Sequence, residues 1–263
     1  MREAIRRFLQ KRGYDIVKTD DYGAMYPDVS SENGLSLFRT PIGAYYLPRN
    51  NKKDEVAYAI RRGKIFENEV VELASRYIRN GTIVLDVGAN YGQMSVEFSK
   101  QVGGNGSVYA FEGQRLVFEI LKKNIDLNDC KNIKPVFGAV YDREGVKLVF
   151  PEPDFKRFRA YGSYGIDPDV KDGNKVESLT IDSIEYDKPV SFLKIDIQGS
   201  DLFALRGAVK TIQKHKMPII FEFEQQFQDS FKTSFQDYVD FVQKIDYKFE
   251  TTVLGINYLI VPR

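Results

Sequence analysis

Hydrophobic and polar positions follow two periods from about Gly81 to the end of the chain. Short β-branched runs such as "TIVLDV" and "SVYAFE" are each followed by a stretch with the spacing of an amphipathic helix. Strands that alternate with helices in this way are typical of a parallel sheet joined by crossover helices. The final stretch, "YKFETTVLGINYLIV", has the pattern of two strands joined by a short turn. We therefore predict a doubly wound α/β fold with about seven mostly parallel strands and an antiparallel hairpin at one edge.

Two segments do not follow this alternation. Residues 1–64 begin with a short amphipathic helix around Phe8 and continue as turn-rich polar sequence. We interpret them as an N-terminal cap on a main domain of residues 65–263. Residues 141–189 lie between two predicted sheet strands and are far longer than an ordinary connection. Because long loops at this edge of a sheet often contact substrate, we interpret them as a substrate-side insertion.

Composition excludes several kinds of chemistry. The 263 residues include one cysteine and one histidine, which excludes an internal disulfide and leaves too few ligands for a Cys/His metal site. Catalysis must then rely on carboxylates, lysine or tyrosine. The 38 Lys and Arg residues balance 37 Asp and Glu residues, so the net charge does not demand nucleic acid. No uncharged apolar run approaches membrane-spanning length and no signal-peptide pattern is present, so we expect a cytoplasmic protein.

The stretch "TIVLDVGANYGQMS" joins a strand to a turn that contains two glycines. A dinucleotide fold would cradle a pyrophosphate with G-x-G-x-x-G, but here Asp86 precedes the turn and would repel that anion. Gly88 and Gly92 permit the close approach of a small bound molecule. Glu112 ends the next strand 24 residues after Gly88, a spacing at which a carboxylate binds ribose hydroxyls. A nucleoside with a positively charged sulfur, S-adenosylmethionine, satisfies these conditions.

Five blocks of the sequence resemble, in order, those of the FkbM-family methyltransferases. They are "VLDVGANYGQMS", "VYAFEGQRLVFEILKKNIDLN", "ESLTIDSI", "FLKIDIQGSDLFALRGA" and "MPIIFEFE". The resemblance implies a class I Rossmann-like methyltransferase fold, S-adenosylmethionine as cofactor, and O-methylation of a sugar, glycan or glycosylated metabolite. The chain departs from the family pattern at Gly113, where members often have Pro, and at Asp201, where many have Glu. Gln198 is within the pattern, which allows Glu or Gln, but a glutamine is unsuited to act as a base.

The strand "FLKIDIQGSD" gives a second signal. Lys194 and Asp196 are two residues apart, hence on one side of a strand that the pattern predicts to be buried on both faces. Because an unpaired buried charge is costly, they form either a structural ion pair or a site. We assign the deprotonation of the acceptor to Asp196, with Glu222 as the second carboxylate, although which carboxylate is the base stays open. Lys194 either orients the acceptor or stabilises the emerging alkoxide. We predict no metal, while a divalent cation between the carboxylates stays an alternative.

The residues predicted to contact the cofactor are Asp86, Gly88, Asn90, Tyr91, Gly92, Glu112, Gln198 and, by resemblance to a family glutamate, Glu67. Other interpretations stay open for three of them. Asp86 suits a cap of the following helix, Asn90 a turn, and Glu67 the first turn of a helix, where the dipole favours a carboxylate. In the insertion, Tyr161 and Tyr164 form either a minor core or a wall that faces a sugar acceptor.

Three rival functions fit the sequence less well. A nicotinamide-dependent sugar oxidoreductase would share the fold but needs a phosphate-cradling glycine turn, which the chain lacks. A second rival is an N- or O-methyltransferase of another small molecule or of RNA. RNA is disfavoured because the chain has no long basic stretch. A non-catalytic binding module is disfavoured by the charged residues of the buried strand. The expected partners are a small-molecule or glycan acceptor and, if the cap docks on a second subunit, another copy of the chain.

Overall fold

The computed structural model describes residues 28–32, 34–49, 54–151 and 164–263. The helix predicted around Phe8 and the insertion residue Tyr161 lie outside these ranges.

The described part of the N-terminal segment is mainly a small antiparallel sheet. Its elements are β1 (Asp28–Glu32), β2 (Leu35–Thr40) and β3 (Gly43–Pro48), in that order across the sheet, followed by helix α1 (Glu55–Arg61). The sequence predicted turns here, and the difference has a packing reason. Tyr45 and Leu47 of β3 are fully buried in the same core cluster as residues of the main domain. A small sheet of this kind needs such packing to be stable, and the local pattern does not reveal it.

The main domain supplies the other elements. Its strands are β4 (Ile83–Val87), β5 (Ser107–Glu112), β6 (Ile133–Phe137), β7 (Ala139–Val140), β8 (Lys147–Phe150), β9 (Asn174–Leu179), β10 (Val190–Ile195), β11 (Ile219–Glu222), β12 (Tyr247–Val253) and β13 (Asn257–Pro262). Its helices are α2 (Asn68–Ala74), α3 (Gln93–Val102), α4 (Arg115–Leu127), α5 (Asp201–Arg206), α6 (Val209–His215), α7 (Gln225–Phe231) and α8 (Phe235–Lys244), with a 3-10 turn at Ile181–Ser183. The helical stretch from Asp201 to His215 is divided into α5 and α6 near Gly207, where the backbone of Tyr141 packs so closely that a Cβ would overlap its carbonyl oxygen.

Seven strands form the main sheet in the order β12-β13-β11-β10-β4-β5-β6. Strand β4 pairs in parallel with β10 and β5, and β10 pairs in parallel with β11. Strand β13 lies antiparallel between β11 and β12. This arrangement confirms the predicted doubly wound α/β fold with its antiparallel terminal hairpin. The parallel strands β4, β5, β10 and β11 all end at one edge, which is the edge where such sheets bind ligands.

Helices cover the main sheet on both faces. Val84 contributes to one core cluster together with side chains of α3 and α4, whereas its neighbours Ile83 and Leu85 contribute to a second cluster with side chains of α5, α6 and α8. Every residue of β4 is buried, as expected for a parallel strand covered on both sides. The strand ends are therefore held by two packed layers.

Two asparagines, one in the last turn of α4 and one at its C-cap, attach the N-terminal sheet to the main domain. The side chain of Asn128 accepts a hydrogen bond from the backbone N–H of Ala44 and donates one to its carbonyl, at 2.9 and 2.7 Å. Asn124 makes the same pair of bonds with Tyr46, at 2.7 and 3.2 Å. The two side-chain amides, one helical turn apart, thus satisfy backbone N–H and C=O groups at the edge of β3, as a neighbouring strand would.

The described part of the 141–189 insertion contributes to a second small sheet. Strands β8 and β9 pair antiparallel, and β9 pairs in parallel with β7, in the order β7-β9-β8. Strand β7 continues the chain from β6 after Gly138, whose φ of 151° turns it out of the main sheet. No helix of the described ranges is both long and apolar enough to cross a membrane.

Candidate active site

The turn after β4 and the end of β10 are in direct contact. Gly88 has φ +80°, and a Cβ placed on it would overlap the backbone carbonyl of Asp196. Gly92, with φ +86°, faces the side chain of Leu121 in the same way. From the sequence we expect these glycines to permit the close approach of a ligand. In the structure the space that a Cβ would occupy is taken by Asp196 at Gly88 and by Leu121 at Gly92. The left-handed backbone favours glycine at both positions, and at Gly88 the backbone carbonyl of Asp196 also excludes a side chain.

A cavity opens beside this contact. Six of the predicted site residues are on its wall, namely Gly88, Asn90, Glu112, Tyr164, Asp196 and Gln198. Most of the remaining wall is apolar and includes Phe111, Val117, Phe150 and Ile166. A largely apolar cavity with a few convergent polar groups has the usual character of a small-molecule site.

Glu112 is fixed at the end of β5 by two backbone donors. Its Oε1 accepts a hydrogen bond from the N–H of Gln114 at 2.8 Å, and its Oε2 accepts one from the N–H of Asn90 at 3.0 Å. Burial raises the pKa of Glu112 to about 7, although the backbone hydrogen bonds oppose this increase. A carboxylate has room for about four hydrogen bonds, so acceptor capacity remains for hydroxyl groups of a ligand.

The sequence left two roles open for Asn90, a turn residue and a contact with the cofactor, and the structure has a feature that suits each role. Its φ of 51° is left-handed, as expected of a turn residue. Its side-chain Oδ1 is buried and has no hydrogen-bond partner among the described residues. Since a buried acceptor without a donor is costly, this oxygen on the cavity wall is suited to accept a hydrogen bond from a ligand.

Lys194 and Asp196 form an ion pair that extends to Asp86. Lys194 Nζ lies 3.4 Å from Asp196 Oδ2 and 3.5 Å from Asp86 Oδ1, and it donates to the carbonyl of Gly88 at 2.9 Å. Burial opposes the charge of Lys194, yet the nearby carboxylates, chiefly Asp196 and Asp86, raise its pKa above the ordinary value. Asp86 is fully buried and also accepts a hydrogen bond from Ser95, so it lies behind the pair and not on the cavity wall.

Glu222 lies beside Asp196 at the end of β11. Gln198 bridges the two carboxyl groups, donating through Nε2 to Asp196 Oδ1 at 3.2 Å and to Glu222 Oε2 at 3.3 Å. Burial, together with the neighbouring carboxyls of Asp196 and Asp201, raises the pKa of Glu222 to about 11. The raised pKa favours the protonated form of Glu222, whereas the Asp196 side chain is 26% exposed and reaches the cavity.

Glu67 is placed among these charges and not on the cavity wall. It precedes α2 with a left-handed φ of 51°, and the segment before it is fixed by Gln93, which bonds to the backbone of Lys64 and Phe66. Burial raises the pKa of Glu67 to about 7, and Asp196 adds to this increase. Lys194 and the side chain of Asn257 act in the opposite direction.

Asn257 is a site residue that the sequence did not predict. It begins β13 directly opposite Glu222, so the pairing of β13 with β11 brings it to the cluster. Nothing in the local pattern distinguishes it, because it follows a hairpin turn in which asparagine is common.

Tyr91 lies at the junction with the N-terminal segment. Its ring is fully buried, and its hydroxyl donates a hydrogen bond of 2.8 Å to Asp54 Oδ2. Asp54 is itself fully buried and caps α1. The structure thus places Tyr91 where it couples the turn after β4 to the N-terminal segment, away from the cavity.

No group of three or more His, Cys, Asp or Glu side chains within the described ranges is arranged to hold a metal ion. The carboxyl cluster is instead organised by Lys194 and by the amide of Gln198.

The chain matches a protein-family model described as the methyltransferase FkbM domain over residues 86–249, more than half of its length. No protein with a curated description matches the chain.

Three solved structures illustrate the similarity. The methyltransferase FkbM from Methylobacillus flagellatus KT is 19% identical with a TM-score of 0.45, and the match covers 73% of this chain and 50% of that chain. The present chain thus spans half the length of that protein. A putative caffeoyl-CoA O-methyltransferase from Staphylococcus aureus is 11% identical with a TM-score of 0.49, covering 76% and 85%. The Aeropyrum pernix fibrillarin, crystallised with natively bound S-adenosyl-L-methionine, is 13% identical with a TM-score of 0.40, covering 88% and 84%.

Proposed function

The chain belongs to the FkbM methyltransferase family, and on this premise we propose that it transfers a methyl group from S-adenosylmethionine to a hydroxyl of a sugar, glycan or glycosylated metabolite. The observation that carries the proposal is the position of Asp196. Its carboxylate is held by Lys194 and Gln198 and reaches the wall of the cavity.

The cavity has the donors and acceptors that an adenosyl compound requires. Glu112 offers carboxylate oxygens to ribose hydroxyls, and the unpartnered Oδ1 of Asn90 accepts a further donor. Apolar walls such as Phe111 and Phe150 suit an adenine ring. Gly88 and Gln198 complete the set of predicted cofactor residues on the wall. When bound, S-adenosylmethionine supplies an electrophilic methyl group on a positively charged sulfur.

The residues of the chain would prepare the acceptor. Asp196 takes the proton of the acceptor hydroxyl, which makes the oxygen nucleophilic. Lys194 holds the Asp196 carboxylate in place from the buried side, and Gln198 holds it from the side of Glu222. Glu222 is less suited to act as the base, because burial and the neighbouring carboxyls raise its pKa and favour its protonated form. Holding the acceptor oxygen at a fixed position beside the cavity supplies a large part of the acceleration.

Binding and transfer are tested separately. Calorimetry with S-adenosylhomocysteine should show binding, and Glu112→Gln should weaken it by about tenfold or more, the loss expected when a charged hydrogen-bond acceptor is removed. NADH serves as the competing ligand. Heat with NADH and none with S-adenosylhomocysteine would refute the cofactor assignment.

The acceptor is sought by incubating the protein with tritium-labelled S-adenosylmethionine and a panel of sugars, glycans, glycosylated metabolites, other small molecules and RNA. Asp196→Asn should lower transfer to the best acceptor by a factor of about 100 or more, the range of general base catalysis. If the variant retains activity within about tenfold, Asp196 is not the base. Label in RNA and in none of the hydroxyl compounds would contradict the proposed acceptor class.

A further inference from the structure

The turn after β4 has a backbone that needs support from other parts of the chain. Asn90 and Gly92 both have a left-handed φ, of 51° and 86°, and Tyr91 lies between them. A left-handed backbone costs energy at a residue other than glycine, and it persists where the surrounding structure fixes it. The shape of this turn therefore depends on what holds Tyr91.

Two side chains outside the turn hold Tyr91 at its two ends. The hydroxyl of Tyr91 donates a hydrogen bond to Asp54 Oδ2 at 2.8 Å, and the side chain of Asn124 donates to the Tyr91 carbonyl at 2.9 Å. All three residues are fully buried. Hydrogen bonds between buried groups are costly to lose, because water does not replace the missing partner. Both the backbone and the ring of Tyr91 are thus fixed.

Asp54 is itself held in place by the N-terminal segment. Its Oδ1 accepts a hydrogen bond of 2.9 Å from the backbone N–H of Ala57, which makes Asp54 the N-cap of α1. It lies 37 positions before Tyr91 in the sequence. One carboxylate therefore joins the first turn of α1 to the turn after β4.

The residue before Tyr91 belongs to the candidate cofactor site. Asn90 lines the cavity, and its side-chain Oδ1 has no partner among the described residues. Its backbone N–H donates to Glu112 Oε2 at 3.0 Å and so orients the carboxylate that we assign to the ribose hydroxyls. A shift of Tyr91 would move this N–H, because the two residues share a peptide bond.

We propose that Asp54 is a positioning residue for cofactor binding: by fixing the Tyr91 hydroxyl, it holds the turn in the shape in which Asn90 and Glu112 face the ligand. Asp54 and Tyr91 act at a distance, since neither of them lines the cavity. The inference rests on the proposed function, because Asn90 and Glu112 are its proposed cofactor contacts. It makes the N-terminal segment a part of the machinery that binds S-adenosylmethionine.

Two substitutions remove the bond from opposite sides. Tyr91→Phe removes the donor, and Asp54→Ser shortens the acceptor side chain but keeps a residue that caps helices as well as aspartate does. Each should weaken the binding of S-adenosylhomocysteine, measured by calorimetry, by about fivefold or more, the effect of one lost hydrogen bond. The double variant should bind no more than about twofold more weakly than either single variant, because both changes remove the same bond.

Asn128→Ala is the matched control for a general loosening of the N-terminal segment. It removes the two side-chain bonds to Ala44 and so weakens the attachment of the N-terminal sheet, while the bonds to Tyr91 from Asp54 and Asn124 stay. This variant should lose stability but keep its affinity for S-adenosylhomocysteine within about twofold. All variants are compared at a temperature at which circular dichroism shows them fully folded. Equal weakening in Asn128→Ala, or native affinity in both variants of the bond, would overturn the proposal.

A second measurement needs no ligand. The pKa of Glu112 is followed by NMR titration of carbon-13-labelled glutamate side chains, and Glu112→Gln identifies the signal. The hydrogen bond from Asn90 lowers the pKa of Glu112 against the larger effect of burial, so Tyr91→Phe should raise this pKa and Asn128→Ala should not. An unchanged Glu112 titration in Tyr91→Phe would overturn the positioning role. Absence of S-adenosylhomocysteine binding by the parent protein would refute the proposed function, and the titration would still decide whether Tyr91 positions Glu112.

Discussion

Replacement of Lys194 by methionine isolates the electrostatic centre of the site. Methionine keeps an unbranched apolar stem in the space of the lysine side chain but removes its charge. Lys194 contacts Asp86 at 3.5 Å and Asp196 at 3.4 Å. Asp86 is fully buried and Asp196 is partly exposed, so the variant leaves one carboxylate in the interior without a cation.

The expected loss of stability follows from that burial. Removing one partner of a buried ion pair costs about 3–5 kcal/mol, because the other charge stays desolvated. With a urea m-value of about 3 kcal/mol/M, this corresponds to a decrease of about 1–2 M in the midpoint of unfolding. The raised pKa of Lys194 means that its contribution is fully present below the ordinary lysine pKa and is lost only as the pH rises through the folded-state value. The deficit of the variant should therefore be complete at neutral pH.

Urea titrations monitored by far-UV circular dichroism measure this difference, since the chain has no tryptophan to report unfolding by fluorescence. Lys248→Met is the control, because Lys248 forms an exposed pair with Glu250 at 3.3 Å and should cost no more than about 1 kcal/mol. Adding Asp86→Asn to Lys194→Met should recover part of the loss. A loss below about 1 kcal/mol in the single variant, or no recovery in the double variant, would refute the assignment of a buried pair.

Three further changes test other parts of the structure. As the pH rises from 5 to 8, the Glu222→Gln variant should become more stable relative to the parent protein, by up to about 1.4 kcal/mol per pH unit. The reason is that burial raises the pKa of Glu222 above its unfolded value, so folding of the parent protein increasingly requires a bound proton. A pH-independent difference in urea titrations would contradict this. Tyr91→Phe removes the hydroxyl that donates to buried Asp54 and should cost about 1–3 kcal/mol, and a neutral effect in the same assay would show that this bond is dispensable. In Gly88→Ala the added Cβ would overlap the carbonyl oxygen of Asp196, and the left-handed φ would be strained. We therefore expect the melting temperature to fall by several degrees. An unchanged melting temperature would argue against the close contact.

The strands and helices of the main domain were largely predictable, because the sequence patterns that indicate them are local. Buried parallel strands read as apolar runs, and every residue of β4 is indeed buried. The terminal hairpin was visible as two strand patterns around a turn. Two charges in an apolar strand pattern identified Lys194 and Asp196, since the cost of burying a charge depends on composition and periodicity alone. Glu112 was recognised by its place at a strand end, and the structure puts it on the cavity wall.

What depends on contacts between distant segments was decided by the tertiary structure. Asn257 reaches the cluster only because β13 pairs with β11, and Glu67 reaches it because Gln93 fixes the segment before α2. The reason for Gly88 is the backbone of Asp196, 108 positions further along the chain. The order of the residues thus determined which stretches form strands and helices and which side chains are chemically unusual. Only packing decided which of those side chains share a low-dielectric environment. That sharing raises the pKa of Glu222, because electrostatic effects depend on distance in space and on burial.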